Sequence, residues 1–370
     1  MFNGNHNSSA MEGNKTETLV NNSPSSDNSY ELITEELVRD GLQNDKGKNA
    51  ELLSWEVKDF TNKGDGYTSF VTSITVNYKE GEHQSVVSYV VKLNPQATSK
   101  SPDRYDESDI SKRKSDVIGA MSKHLEELGL TPIRTPKLFA STMEKGREAF
   151  VAENLRTQGF QLHNKRIGLD FNHSLLNLED SMQVLCSLKN LLLPNTYAET
   201  FEYFEEHWFD ANCKYYTHVF DKTIISQVLG AIKYLNTIPK YEKCAKWLNE
   251  NKQNLSQYFL EGFKSNKPLE VLIHGDCWTN NLLFKYNSKN KPVDLRLVDL
   301  QVSRLASPGS DINYFVYTSL TGDTRSKYFH DLLDAYYQSF SKVLILSRRK
   351  IPFTFKIELE DDVREQKSLD

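Results

Sequence analysis

The apolar residues of this chain keep one period before about residue 155 and another after about residue 160, and this switch limits the fold more than any other feature. In YTSFVTSITVNY (67–78), Phe70, Ile74, Val76 and Tyr78 share one face of an extended chain, because successive side chains of a strand point to opposite sides. After the turn KEGEH, the run SVVSYVVKLNP (85–95) is apolar on both faces, as a central strand is. TPKLFAST and REAFVAENL read as two further strands about the turn MEKG. Before them lies ISKRKSDVIGAMSKHLEELGL, where Ile110, Val117, Ile118, Met121, Leu125 and Leu128 form a helical stripe and Gly129 is placed to cap its end. Beyond 160 the pattern predicts helices at roughly 173–192, 199–218, 222–237 and 241–263. Short strands follow at 270–274, 281–286 and 293–300, and helical pattern resumes after Asp311. The chain therefore reads as α+β in two lobes: a small antiparallel sheet over 46–155 and a larger helical lobe over 156–370. Residues 1–45 read as a polar, mostly disordered extension with one short helix in 29–45, whose apolar positions are Leu32, Leu37 and Leu42.

Composition removes several function classes. Lys plus Arg is 45 against 50 for Asp plus Glu, a formal charge of −5, which argues against a nucleic-acid binder. No apolar run approaches the ~20 residues that a membrane span needs. The first residues lack a basic stretch followed by an apolar one, so no secretory signal is read. Cys186, Cys213, Cys244 and Cys277 are scattered with no CxxC pair. That argues against a disulfide framework or zinc site and fits a cytoplasmic protein. The oligomeric state is not legible.

The chemistry concentrates in VLIHGDCWTNNLLF (271–284). His274, Asp276 and Asn281 lie between two apolar runs, and the apolar LRLV that follows ends at Asp299. Taken singly, Asp276 or Asn281 reads as a turn residue, Asp299 as a strand-end carboxylate and His274 as a core histidine. Together and in order they are the parts of phosphoryl transfer: a carboxylate to take a hydroxyl proton, and an amide oxygen and second carboxylate to hold Mg²⁺. Asp276 and Asn281 also keep the D-x-x-x-x-N spacing of a protein-kinase catalytic loop.

HGDCWTNNLLF, with VDLQVSR and SPGSDINYFVYTSL, resembles the ecdysteroid-kinase-like (CHK-kinase-like) family. This is a branch of the aminoglycoside/choline-kinase superfamily with a protein-kinase-like, aminoglycoside-phosphotransferase-like fold. Trp278, Asn281, Phe284, Gln301 and Arg304 keep step with the family pattern, and Leu300 replaces its usual Phe. The resemblance runs from about 54 to 357. It implies Asp276 as catalytic base, Asn281 and Asp299 as metal ligands, and Asp311 as a brace for the loop. NKGDGYTSFV (62–71) resembles the family's phosphate-covering loop through Gly64, Gly66 and Ser69, although an ordinary hairpin turn reads the same way. Lys92 takes the place of the strand lysine that pairs with ATP phosphates, against the alternative of a strand-end lysine reaching solvent. FVAENLRTQGF (150–160) resembles the family's hinge, whose main chain near Glu153 and Leu155 would bind adenine; a plain interlobe linker is the alternative.

The sequence departs from the family at three places. Between 93 and 125 its one glutamate, Glu107, precedes the helical stripe that should supply a partner for Lys92. LCSLKN (185–190) stands where a small HA-x-S segment is usual. The chain stops soon after IPFTFKIELEDDVREQKSLD, where family members run on, so part of the second lobe is expected to be absent. The reading is an ATP- and Mg²⁺-dependent phosphotransferase acting on a hydroxyl of a small steroid-like or amino-alcohol acceptor. A pseudokinase that binds nucleotide or ligand without turnover stands beside it. Phe201, Phe204, Trp208 and Tyr215 either line an acceptor pocket or pack a helix core. A kinase further requires Lys92 and Asp299 to meet across the interlobe cleft.

Overall fold

The computed structural model describes residues 28–60, 70–93, 132–142, 148–164, 167–178, 214–255 and 270–352, with shorter stretches in 119–130, 257–258 and 354–363. Gly64, Gly66, Ser69, Glu107, the LCSLKN segment, Phe201, Phe204 and Trp208 lie outside the described residues, as does the side chain of Tyr215.

The first lobe is a five-stranded antiparallel sheet: β1 (Ala50–Asp59), β2 (Phe70–Glu80), β3 (His83–Leu93), β4 (Leu138–Thr142) and β5 (Ala149–Glu153), in the order β1-β2-β3-β5-β4. Ile74, Val76 and Tyr78 of β2 are buried, as the period of two requires, together with Tyr89, Val91 and Leu93 of the central β3. Helix α1 (Glu35–Lys46) covers this face. Thr34 starts it by accepting the Leu37 N–H at 3.2 Å, and Glu35, Glu36 and Lys46 suit the helix dipole. Leu32, Ile33, Leu37, Val38 and Leu42 join the sheet core. Residues 28–46 thus belong to the first lobe and not to the polar extension expected over 1–45. The reason is that one face of a sheet must be covered, and α1 carries the apolar stripe that covers it. The described positions of 119–127 are helical, and Gly129 ends them at φ +71°. There the Gly129 N–H meets Glu126 O and the Leu130 N–H meets Leu125 O, both at 2.9 Å, which is the expected glycine cap.

The chain crosses between lobes through a short 3₁₀ turn (Leu155–Gln158), capped by the Asn154 side chain, into β6 (Phe160–Leu162). The second lobe continues with α2 (Phe171–Asn177), α3 (Lys214–Leu235), α4 (Glu242–Asn251), β7 (Val271–Ile273), β8 (Leu282–Tyr286), β9 (Pro292–Leu297), β10 (Arg304–Ala306), α5 (Pro308–Ser319) and α6 (Gly322–Leu346). β6, β8 and β9 form one antiparallel sheet, and β7 pairs with β10. Their apolar sides join α5 and α6 in a second core around Phe284, Phe315, Tyr336 and Phe340.

Several expected boundaries move. α3 runs unbroken through 218–222, where two helices were expected, because no Gly or Pro between 214 and 229 stops it. β9 ends at Leu297 and not at 300, since the next residues turn into the site. α5 begins at Pro308, before Asp311, with Ser307 as its cap and proline in its first turn. β6 and β10 are three residues each, too short to leave a period.

Candidate active site

The loop after β7 is held by its main chain first. At Gly275 φ is +85°, and a Cβ there would lie 2.3 Å from Val302 O and 2.5 Å from Arg304 Nη1, so only glycine fits. The Asp311 carboxylate, 1% exposed in the first turn of α5, accepts the N–H of His274 at 2.7 Å and of Gly275 at 2.9 Å. His274 is fully buried. Its Nε2 donates to Val298 O at 3.1 Å, and its Nδ1 accepts the Asp276 N–H at 3.3 Å. With both ring nitrogens engaged, His274 ties the loop to Val298, the residue after β9. Ser303 Oγ, donating to His274 O at 3.3 Å, completes this tie.

These ties present Asp276. Its Oδ1 accepts the Tyr314 hydroxyl at 2.8 Å and its Oδ2 accepts Asn281 Nδ2 at 2.9 Å. Burial pushes the Asp276 carboxyl above the usual carboxylate range and outweighs the hydrogen bonds from Tyr314 and Asn281, while the Asp299 charge adds to the rise. Burial, with the neighbouring Asp276, also pushes the Tyr314 hydroxyl far up, so it stays a donor. Asn281 Nδ2 bonds the main-chain oxygen of Asp276 as well, at 2.9 Å. The amide is thereby oriented, with its nitrogen spent on Asp276 and its Oδ1 left available as an acceptor.

Asp299 lies beside Asn281 because the β8–β9 pairing continues past its last rung: the Val298 N–H donates to Asn281 O at 3.0 Å. Asp299 then adopts the left-handed conformation, φ 63° and ψ 58°. A non-glycine residue is held there at a cost of roughly 1–3 kcal/mol, as happens where side-chain placement matters. Its Oδ1 lies 2.8 Å from the Nζ of Lys92, a residue of β3 that is 207 positions away. The two lobes thus bring together the lysine and carboxylate that the sequence paired. Asp299 is thus one partner of Lys92.

Asn281 and Asp299 offer hard oxygen donors, the kind Mg²⁺ selects. Among the described residues no cluster of three or more His, Cys, Asp or Glu could enclose a metal. At the hinge, the Glu153 N–H donates to Lys137 O at 2.9 Å, and its carboxylate accepts from Lys137 N at 3.1 Å and Gln158 Nε2 at 2.5 Å. The Glu153 N–H is therefore spent within the first lobe. Sequence reading missed Tyr314, although it stands three residues after Asp311 and so shares its helix face. It also missed Ser319, whose Oγ accepts the Thr279 N–H at 3.0 Å.

Two solved structures are similar to this chain at low identity. The GDP and kanamycin complex of APH(2")-IIia shares 14% identity, with 86% of this chain and 92% of that one covered and a TM-score of 0.40. Choline kinase from Cryptosporidium parvum Iowa II shares 13%, with 92% and 91% covered and a TM-score of 0.36. No curated protein sequence matches. The model of the Ecdysteroid kinase-like family matches residues 63–348, a span that holds Lys92, the loop after β7, Asp299 and α5. Over three-quarters of its length, the site included, the chain belongs to the Ecdysteroid kinase-like family.

Proposed function

We propose that this protein transfers the γ-phosphoryl group of ATP to a hydroxyl of a small molecule of steroid-like or amino-alcohol type. The observation that carries this reading is the Lys92–Asp299 contact of 2.8 Å between lobes, beside the Asp276–Asn281 pair. Asp276 takes the proton of the acceptor hydroxyl as its oxygen bonds to the γ-phosphorus. The bond from that phosphorus to the bridging oxygen breaks, and its electron pair leaves with ADP. Burial raises the basicity of Asp276 above that of a free carboxylate, which favours proton transfer. Lys92 neutralises phosphate charge, and the main chain near Glu153 and Leu155 meets the adenine edge. Mg²⁺, when bound, supplies charge stabilisation at the phosphates, and Asn281 Oδ1 and Asp299 would hold it.

Calorimetry tests the reading. Wild type should bind ATP tightly with Mg²⁺ and weakly with EDTA, and Asp299→Asn should lose most of that difference. ATP binding that ignores Mg²⁺ in both proteins would assign Asn281 and Asp299 to loop structure alone. Binding without turnover on hydroxylated steroids, amino alcohols and aminoglycosides would favour the pseudokinase reading.

A further inference from the structure

We propose that Tyr314 is a positioning residue of this reaction, fixing the orientation of the Asp276 carboxylate through its phenolic hydroxyl; this rests on the phosphotransferase reading above. A carboxylate on a short side chain turns about two single bonds, and a base acts only if one lone pair faces the acceptor hydroxyl. Two side chains hold Asp276. Asn281, at 2.9 Å from Oδ2, belongs to the same loop five residues on and moves with it. Tyr314, at 2.8 Å from Oδ1, comes from α5, a separate element.

α5 is a rigid mount for that contact. One turn before Tyr314, Asp311 accepts the main-chain N–H groups of His274 and Gly275 at 2.7 and 2.9 Å. Five residues after Tyr314, at the end of the helix, Ser319 Oγ accepts the Thr279 N–H at 3.0 Å. The helix therefore grips the loop backbone on both sides of Asp276 and grips the base itself between them. Residues three apart on a helix share a face, so Asp311 and Tyr314 reach the loop together. With Oδ1 and Oδ2 each carrying one donor, each oxygen keeps a second lone pair for the acceptor.

Tyr314→Phe removes the hydroxyl and keeps the ring. Misorienting a base is felt in the transition state and not in nucleotide binding, so the effect belongs in kcat. Losing a hydrogen bond to a charged group predicts a fall in kcat of roughly ten-fold or more, with KM for ATP within about two-fold. The assay is ADP release from Mg²⁺-ATP, with water alone and with a polyhydroxysteroid as acceptor. Tyr317→Phe, an exposed tyrosine of the same helix, is the control and should leave both constants unchanged. In an Asp276→Asn background, Tyr314→Phe should have little further effect on kcat. Unchanged kcat in Tyr314→Phe, or a loss that multiplies independently with Asp276→Asn, overturns the proposal. If wild type shows no turnover on these acceptors or on an amino alcohol, the pseudokinase reading is favoured, and the same cycle read by thermal denaturation decides the Tyr314 contact. Non-additive melting temperatures then support the contact, and additive ones refute it.

Discussion

Gly275 decides whether the loop exists at all. A methyl group there meets main-chain oxygen at 2.3 Å on a backbone at φ +85°, so overlap and strain act together. Gly275→Ala should cost about 2–5 kcal/mol, read as a large drop in melting temperature. Asp276 makes the opposite prediction. Its carboxyl is raised in the folded protein, so the folded state holds that proton more tightly than the unfolded chain does. Stability from this group is therefore present below the unfolded carboxylate range and is lost as pH rises through the raised value. In metal-free protein, Asp276→Asn should be at least as stable as wild type at neutral pH. That advantage should shrink as pH falls toward about 4, near the unfolded carboxylate value. A mutant that loses stability evenly at every pH would show that the charge carries no such cost. Asp276 and Asn281 were legible because their spacing is local; the compensating contacts of Asp276 were not, because Tyr314 arrives 38 residues later.

At the scale of elements, α5 is the brace of the site. Its Asp311 leaves no room for an apolar replacement: Asp311→Ala strands two N–H groups in a buried place, at roughly 1–3 kcal/mol each. Asp311→Asn offers one acceptor oxygen in place of two and should cost less. Thermal denaturation of both should rank them in that order below wild type, and an equal loss would mean that the carboxylate is not what holds the loop. The start of α5 was written in Ser307-Pro308, a cap followed by proline, yet the sequence reading placed it after Asp311. Long periodic elements such as β2 and β3 declared themselves through alternation. β10, three residues paired with β7, has no period to show and exists because β7 supplies its partner. The extent of α3 was misread for a related reason: Asp221, Lys222 and Thr223 resemble a cap, but no helix breaker accompanies them.

Across the whole molecule there are two separate cores, and the second takes in Leu125 and Ile133, which the change of period near residue 155 did not foretell. The role of α1 was not legible either, since a short amphipathic helix after a polar segment does not say what it covers. The Lys92–Asp299 pair joins the lobes with both side chains about a third exposed or less, at 31% and 27%. Such a pair is partly screened and contributes about 0–1 kcal/mol to stability. Lys92→Met should therefore melt within about 4 °C of wild type while binding Mg²⁺-ATP more weakly. The central claim is that Asp276 takes the acceptor's proton while the rest of the site holds the nucleotide. It is tested most directly by kcat and ATP affinity of Asp276→Asn beside wild type, on the acceptor panel. The account predicts ATP affinity within a few-fold and kcat lower by about 10² or more. An acceptor turned over by the folded mutant at the wild-type rate would contradict it.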